Sequence, residues 1–241
     1  MRIIKKRYRG NKPKTGSRML NLFLDDLAKA IEKRIHRSAE HAFVGRDDPE
    51  MPFWYNEQTS KGILTASIDE LTETNFYQEY SIQREKGDGR LDYWLEYGNQ
   101  TKIQIIFEVK HSWARIYSDR ITIYNHAINL FNDAKEQLHS MGQKAFYANY
   151  AIAMLIMPLF SRYKSDSDKP LKLSRKRIEI LQDGIERRFK STHPYESQIL
   201  ILPHEYNKIH IFKKNEHDAK DFFESYPGTC LIYYIKKITK N

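Results

Sequence analysis

Residues 89–113 read G-R-L-D-Y-W-L-E-Y-G-N-Q-T-K-I-Q-I-I-F-E-V-K-H-S-W, and this stretch decides the architecture. Leu91 to Leu95 alternate in polarity, and Ile103 to Val109 are rich in β-branched and aromatic side chains. Such runs read as strands, the second one buried. Between them, Tyr97-Gly98-Asn99-Gln100 supplies residues that take positive φ at little cost, so the two runs are expected to form a hairpin. Residues two apart on a strand share a face, so Glu108 and Lys110 point the same way, beside Ile106. Asp92 sits on the partner strand, its side chain opposed to those of Leu91 and Tyr93. The hairpin is therefore expected to gather Asp92, Glu108 and Lys110 at one end of a sheet. Charges in an apolar strand are costly unless they pair or hold a metal. Two readings are open: a cross-strand ion pair, or a Mg²⁺ site built from hard carboxylate oxygens.

An Asp, a short hairpin and then Glu-x-Lys closing an apolar strand resembles the PD-(D/E)xK phosphodiesterases, the restriction-endonuclease-like nucleases. The matching residues are Asp92, Glu108 and Lys110; Leu91 stands where that signature has proline. The resemblance implies a central mixed sheet flanked by helices, with a core over about residues 57–158 and additions at both ends. It implies Mg²⁺ or Mn²⁺ held by Asp92 and Glu108, with Lys110 positioning the attacking water. It also implies one more acid from the helix before the hairpin. On a helix over about residues 56–71, Glu57 shares a face with Leu64, Ile68 and Leu71, which makes it the first candidate. Glu79, on a strand expected over residues 75–83, is the rival. In the family a Gln-Leu pair follows on the next helix, and Gln137-Leu138 occupy that place. The implied activity is metal-dependent DNA endonuclease cleavage leaving a 5′-phosphate, in restriction, defence, transposition or recombination. The alternative is a nucleic-acid-binding module that does no chemistry.

The composition agrees with a polyanionic partner. The 241 residues carry a formal charge of +9. The basic residues of the first 18 positions include Lys5, Lys6, Arg7, Arg9, Lys12 and Lys14, with no acid among them. Gly10, Pro13 and Gly16 argue against a helix there, so residues 1–18 read as a flexible basic arm, either tracking phosphates or solubilising the chain. Residues 19–241 read as one α/β domain. Cys230 is the only cysteine, which excludes a disulfide framework and a cysteine-based zinc site. The longest apolar run, residues 151–160, is too short to span a bilayer, and Met1 is followed by charges rather than a leader-like run. A cytoplasmic, reducing compartment, double-stranded DNA as partner and no membrane are the resulting expectations. A homodimer is compatible with them.

The remaining segments follow from periodicity. Leu20, Leu24, Leu27, Ile31 and Ile35 stripe a helix over about residues 17–41. Ala127, Ile128, Phe131, Ala134 and Leu138 stripe another over about residues 124–141. Residues 147–158 read as a strand buried on both faces. A helix over residues 173–189 turns Ile178, Leu181, Ile185 and Phe189 inward. Its outer side carries Arg175, Lys176, Arg177, Arg187 and Arg188, either a solvated face or a track for nucleic acid. Residues 197–202 and 208–212 read as strands, 218–226 as a short helix and 229–235 as a last strand.

Overall fold

The central hairpin forms. Strand β3 (Gly87–Tyr97) pairs antiparallel with β4 (Ile103–His111), from Tyr97↔Ile103 to Tyr93↔Phe107. Gly98 closes the turn at φ +112°, where a Cβ would collide with the Thr101 carbonyl, so only glycine fits. The computed structural model describes residues 4–7, 18–43, 57–71, 73–84, 87–117, 120–141, 148–163, 172–189, 197–203, 209–212 and 222–238. Arg9, Lys12 and Lys14 of the expected arm lie outside them.

The hairpin belongs to a meander. Strand β2 (Thr74–Arg84) pairs antiparallel with β3 and is preceded by helix α2 (Glu57–Asp69). After β4 come two three-residue strands not foreseen from the sequence, β5 (Ala114–Ile116) and β6 (Ile121–Ile123), and then helix α3 (Asn125–His139). The crossover delivers β7 (Tyr150–Tyr163) parallel to β4, with Ile105↔Tyr150 through His111↔Ile156 in register. Helix α4 (Arg175–Phe189), β8 (Ser197–Pro203), β9 (Ile209–Phe212) and β10 (Phe222–Lys237) complete the order, with helix α1 (Arg18–Phe43) near the start of the chain.

The fold is α/β, a mixed sheet flanked by helices. Its strands run β1-β8-β10-β7-β4-β3-β2, where β1 is Ile4–Arg7. Two expectations are corrected here. Part of the arm is not free: β1 pairs antiparallel with β8, Ile4↔Ile201 through Arg7↔Gln198, which satisfies backbone groups along that edge. Residues 222–226, expected to be helical, begin β10 instead. The register of β10 on β7 shifts between Ser225 and Gly228, so Pro227 is absorbed at an irregularity where its missing N–H does no harm.

Two apolar clusters sandwich the sheet. On one face α1 and α2 bring Phe23, Leu27, Ile31, Leu64 and Ile68 against Tyr93, Leu95, Ile105, Phe107 and Val109. On the other, α3 and α4 bring Phe131, Leu138, Ile178 and Ile185 against Ile106, Ala151, Ala153 and Leu155. Because both faces of β7 are covered, its residues 151–160 are all buried, as their unbroken apolar run requires. The Phe23 ring meets Tyr97 at 5.2 Å and Phe107 at 5.9 Å, clamping α1 onto the hairpin. Among the described residues no helix is long and apolar enough to cross a membrane.

Candidate active site

The site begins where β3 and β4 part. Their ladder ends at Tyr93↔Phe107. Tyr93 packs in the α1/α2 cluster, whereas Leu91, two residues earlier, packs in the α3/α4 cluster. Strict alternation would have put both on one face, so the strand turns over at Asp92. At that fork the Asp92 Oδ2 accepts the backbone N–H of Val109 at 2.6 Å. The carboxylate thus stands against the peptide that joins Val109 to Glu108.

Helix α2 supplies the cation. The Lys61 ammonium lies 2.6 Å from Asp92 Oδ1 and 2.8 Å from Glu57 Oε1. Glu57 and Lys61 are one helical turn apart, which brings their side chains together on α2. The Lys61 side chain is only 14% exposed and that of Asp92 13%, so this contact is largely out of water. Burial works to lower the Lys61 pKa, but the hydrogen bonds and charges of Asp92 and Glu57 outweigh it and push it above the ordinary value. Lys61 is a fixed positive charge. The turn that carries it is anchored: the Tyr93 hydroxyl donates to the Lys61 carbonyl at 2.8 Å and lies 2.9 Å from the Thr65 hydroxyl. Burial is the main reason that the Tyr93 phenol is pushed up to about 12. It stays a neutral hydrogen-bond donor.

Beside the fork, Glu108 is buried on β4, and Lys110 Nζ lies 3.1 Å from its Oε1. Both alternate in phase with Ile106, on the α3/α4 face, as the strand period demands. Two ion-paired groups therefore flank the fork: Lys61 with Asp92 and Glu57 on the α2 side, and Lys110 with Glu108 in phase with Ile106.

The other expected residues are placed differently. Glu79 is 64% exposed at its side chain, takes φ +52°, and pairs with Arg90 at 3.2 Å. Gln137 is half-buried on α3, and its backbone carbonyl accepts the Ser140 hydroxyl. The turn that carries Gln137 docks over β10, where His139 Nε2 lies 3.1 Å from the Tyr234 hydroxyl and Lys236 Nζ lies 3.1 Å from His139 Nδ1. No side-chain hydrogen bond joins Gln137 to the fork among the described residues. Lys5, Lys6 and Arg7 lie in β1, which pairs with β8 at the opposite end of the strand order from β2.

Lys61 was missed by sequence reasoning. Its only signal is the i,i+4 spacing from Glu57, which on a single helix reads as an ordinary surface pair. Lys135 was missed too. It is buried on α3, its ammonium 5.3 Å from the Phe131 ring centroid and 5.9 Å from that of Tyr234, and burial lowers its pKa.

Among the described residues no three His, Cys, Asp or Glu side chains stand together as a ready-made metal cluster. Lys61 instead pairs with Asp92 and Glu57, and Lys110 pairs with Glu108. Even so, the Asp92 and Glu57 oxygens converge on a single cationic atom at 2.6 and 2.8 Å. Two carboxylate oxygens within reach of one point are the donor type a divalent ion takes, and Lys61 occupies that point. Compared with family models, curated proteins and solved structures, the chain matches none.

Proposed function

We propose that this chain is a Mg²⁺- or Mn²⁺-dependent phosphodiesterase that cuts DNA internally. The observation that carries the reading is the convergence of Asp92 and Glu57 on the Lys61 ammonium, with the Glu108–Lys110 pair on the neighbouring strand. The same reading takes α2 through β7 as a restriction-endonuclease-like core. It is supported by the order of helix, antiparallel meander, crossover helix and parallel strand, with Glu-x-Lys on the strand before the crossover.

In this reading Asp92 and Glu57 would hold the ion, and Glu108, one peptide from the amide that Asp92 accepts, would adjoin it. When bound, the ion would lower the pKa of a coordinated water and neutralise charge on the phosphate. The chain's own groups do the rest. Lys110 orients the water and stabilises the charge that builds on the phosphoryl oxygens. Val109 N–H fixes one Asp92 oxygen and so sets the direction of the other. Lys61 must release both carboxylates before the ion can enter.

A second reading, a nucleic-acid-binding module without chemistry, is favoured by one observation: each of the three carboxylates already has a lysine partner. Plasmid cleavage separates the two. The nuclease nicks or cuts DNA with Mg²⁺ or Mn²⁺ and stops in EDTA. Folded protein that binds DNA but leaves single-stranded, duplex and branched substrates intact under both metals is the binding module.

A further inference from the structure

The short β5–β6 hairpin and helix α4 enclose an open cleft of about 510 Å³ that the proposed chemistry does not use. Ile121 and Ile123 form an apolar wall, Thr122 a polar one, and Arg187 and Arg188 stand over it from the last turn of α4. The cleft exists because Gly184 lets α4 approach β6 closely; a Cβ there would come within 2.9 Å of Ile121 Cγ2.

The two guanidinium groups are steered by neutral acceptors. Arg187 Nε donates to the Asp183 carbonyl at 3.3 Å, and Arg188 donates to the Asn125 side-chain oxygen. Neither forms a salt bridge with a carboxylate among the described residues, although α4 also carries Glu179, Asp183 and Glu186. Each fork is therefore oriented while its charge is left for a partner. A guanidinium fork matches phosphate oxygens in a bidentate way. On the same hairpin Arg115, cross-strand from Thr122 of the cleft, lies 4.8 Å over the ring of Tyr117, which is 43% exposed.

Position gives the ligand its identity. Lys110 pairs with Leu155 on β7, and Ala114 of β5 pairs with Leu159. Four residues of strand separate those levels, roughly 13 Å at about 3.3 Å per residue. That equals about four base steps of duplex at roughly 3.4 Å each. Ile121 and Ile123 join the α3/α4 cluster with Ile106, whose face also carries Glu108 and Lys110. The cleft and the Glu-x-Lys pair thus open on the same side of the sheet, a few base pairs apart.

We infer that this cleft is a backbone-binding subsite for DNA, in which Arg187 and Arg188 grip phosphates of a duplex that extends to the Glu108–Lys110 pair. The inference rests on the nucleic-acid reading above but not on catalysis. A grip on the backbone adds affinity without sequence preference.

The test is binding of a fluorescent duplex in EDTA, where no cleavage occurs, over a range of salt concentrations. The variants are Arg187→Ala/Arg188→Ala, Arg187→Lys/Arg188→Lys and Thr122→Glu. The alanine pair should weaken binding and flatten the slope of log K against log salt by about 0.9 per lost contact, close to two in all. The lysine pair should restore most of that slope. Thr122→Glu leaves the helix intact and should weaken binding by setting a carboxylate in the cleft. Millimolar inorganic phosphate should compete poorly, which distinguishes a polymer site from a free-anion site.

Parental affinity and slope in all three variants overturn the subsite, and so does a lowered melting temperature of the alanine pair with unchanged affinity. That last result would assign the arginines to the helix C-terminus alone. If the arginine variants bind more weakly than the parent, while neither parent nor variant cuts DNA with Mg²⁺ or Mn²⁺, the subsite stands and the nuclease reading falls. If the parent cuts DNA and the cleft variants bind normally, the reverse holds.

Discussion

Replacing Lys61 by methionine keeps most of the side chain and removes only its charge. The ammonium touches Asp92 Oδ1 at 2.6 Å and Glu57 Oε1 at 2.8 Å, and the two contacts are not equal. Asp92 is 13% exposed, so losing its cation approaches the case of a broken buried pair, about 3–5 kcal/mol. Glu57 is 35% exposed, and a contact of that kind is worth about 0–1 kcal/mol. Asp92 keeps the Val109 N–H, which softens the loss, so a destabilisation near the lower end, about 3 kcal/mol, is expected at neutral pH. For a domain of this size that is roughly 6–12 °C in Tm. The pH dependence has a definite sign. The folded-state pKa of Lys61 is raised above its ordinary 10.5, so its stabilisation is complete below that value and fades as pH rises through the folded value. The gap between parent and Lys61→Met should therefore be constant through neutral pH and close only in alkaline solution. Chemical denaturation at several pH values measures it. Calorimetric Mn²⁺ titration supplies a second readout: with no tethered cation to evict, the variant should bind at least about tenfold more tightly, about 1.4 kcal/mol. A variant as stable as the parent that binds Mn²⁺ no better would refute the idea that Lys61 keeps the metal position filled.

Asp92→Ala and Glu108→Ala should each abolish metal-dependent nicking while DNA binding in EDTA holds or tightens, because each removes a negative charge that phosphate must approach. Lys110→Ala should also stop nicking but weaken that binding slightly; parental cutting by all three in a plasmid assay would make the fork purely structural. Glu57→Gln should impair cleavage more than Glu79→Gln, since Glu57 shares a cation with Asp92 whereas Glu79 pairs in solvent with Arg90. Removing residues 1–14 should lower the salt slope of DNA binding and also the melting temperature, because it strips β1 from the edge of β8; a slope that does not change would assign the arm to the fold alone.

The parts of the fold legible in the sequence are those written in one period. The alternation on either side of Gly98 marked the hairpin, the stripe of Ile178, Leu181, Ile185 and Phe189 marked α4, and the unbroken apolar run marked β7 as doubly covered. Strand β1 was not legible, because four residues carry little pattern and their partner lies nearly two hundred positions away. The start of β10 was misread because Pro227 and Gly228 interrupt its alternation, and the sheet accommodates them with a register shift. The site was legible as residue types at one end of one strand, since Glu108 and Lys110 follow from period two alone. Its wiring was not. Which carboxylate meets which cation depends on how α2 lies over the fork, and that is set by Tyr93, Leu64 and Ile68 packing across the sheet rather than by any local spacing.

In the proposed nuclease, Asp92 and Glu57 form a cation position that Lys61 fills in the absence of a divalent ion. A crystal of the protein soaked in Mn²⁺, measured at the manganese absorption edge, tests it most directly. One anomalous peak is expected about 2.0–2.3 Å from an Asp92 oxygen, with a Glu57 or Glu108 oxygen completing the protein ligands and the Lys61 ammonium swung away. An ammonium still lodged between Asp92 and Glu57, with no peak at the fork under saturating Mn²⁺, would contradict it.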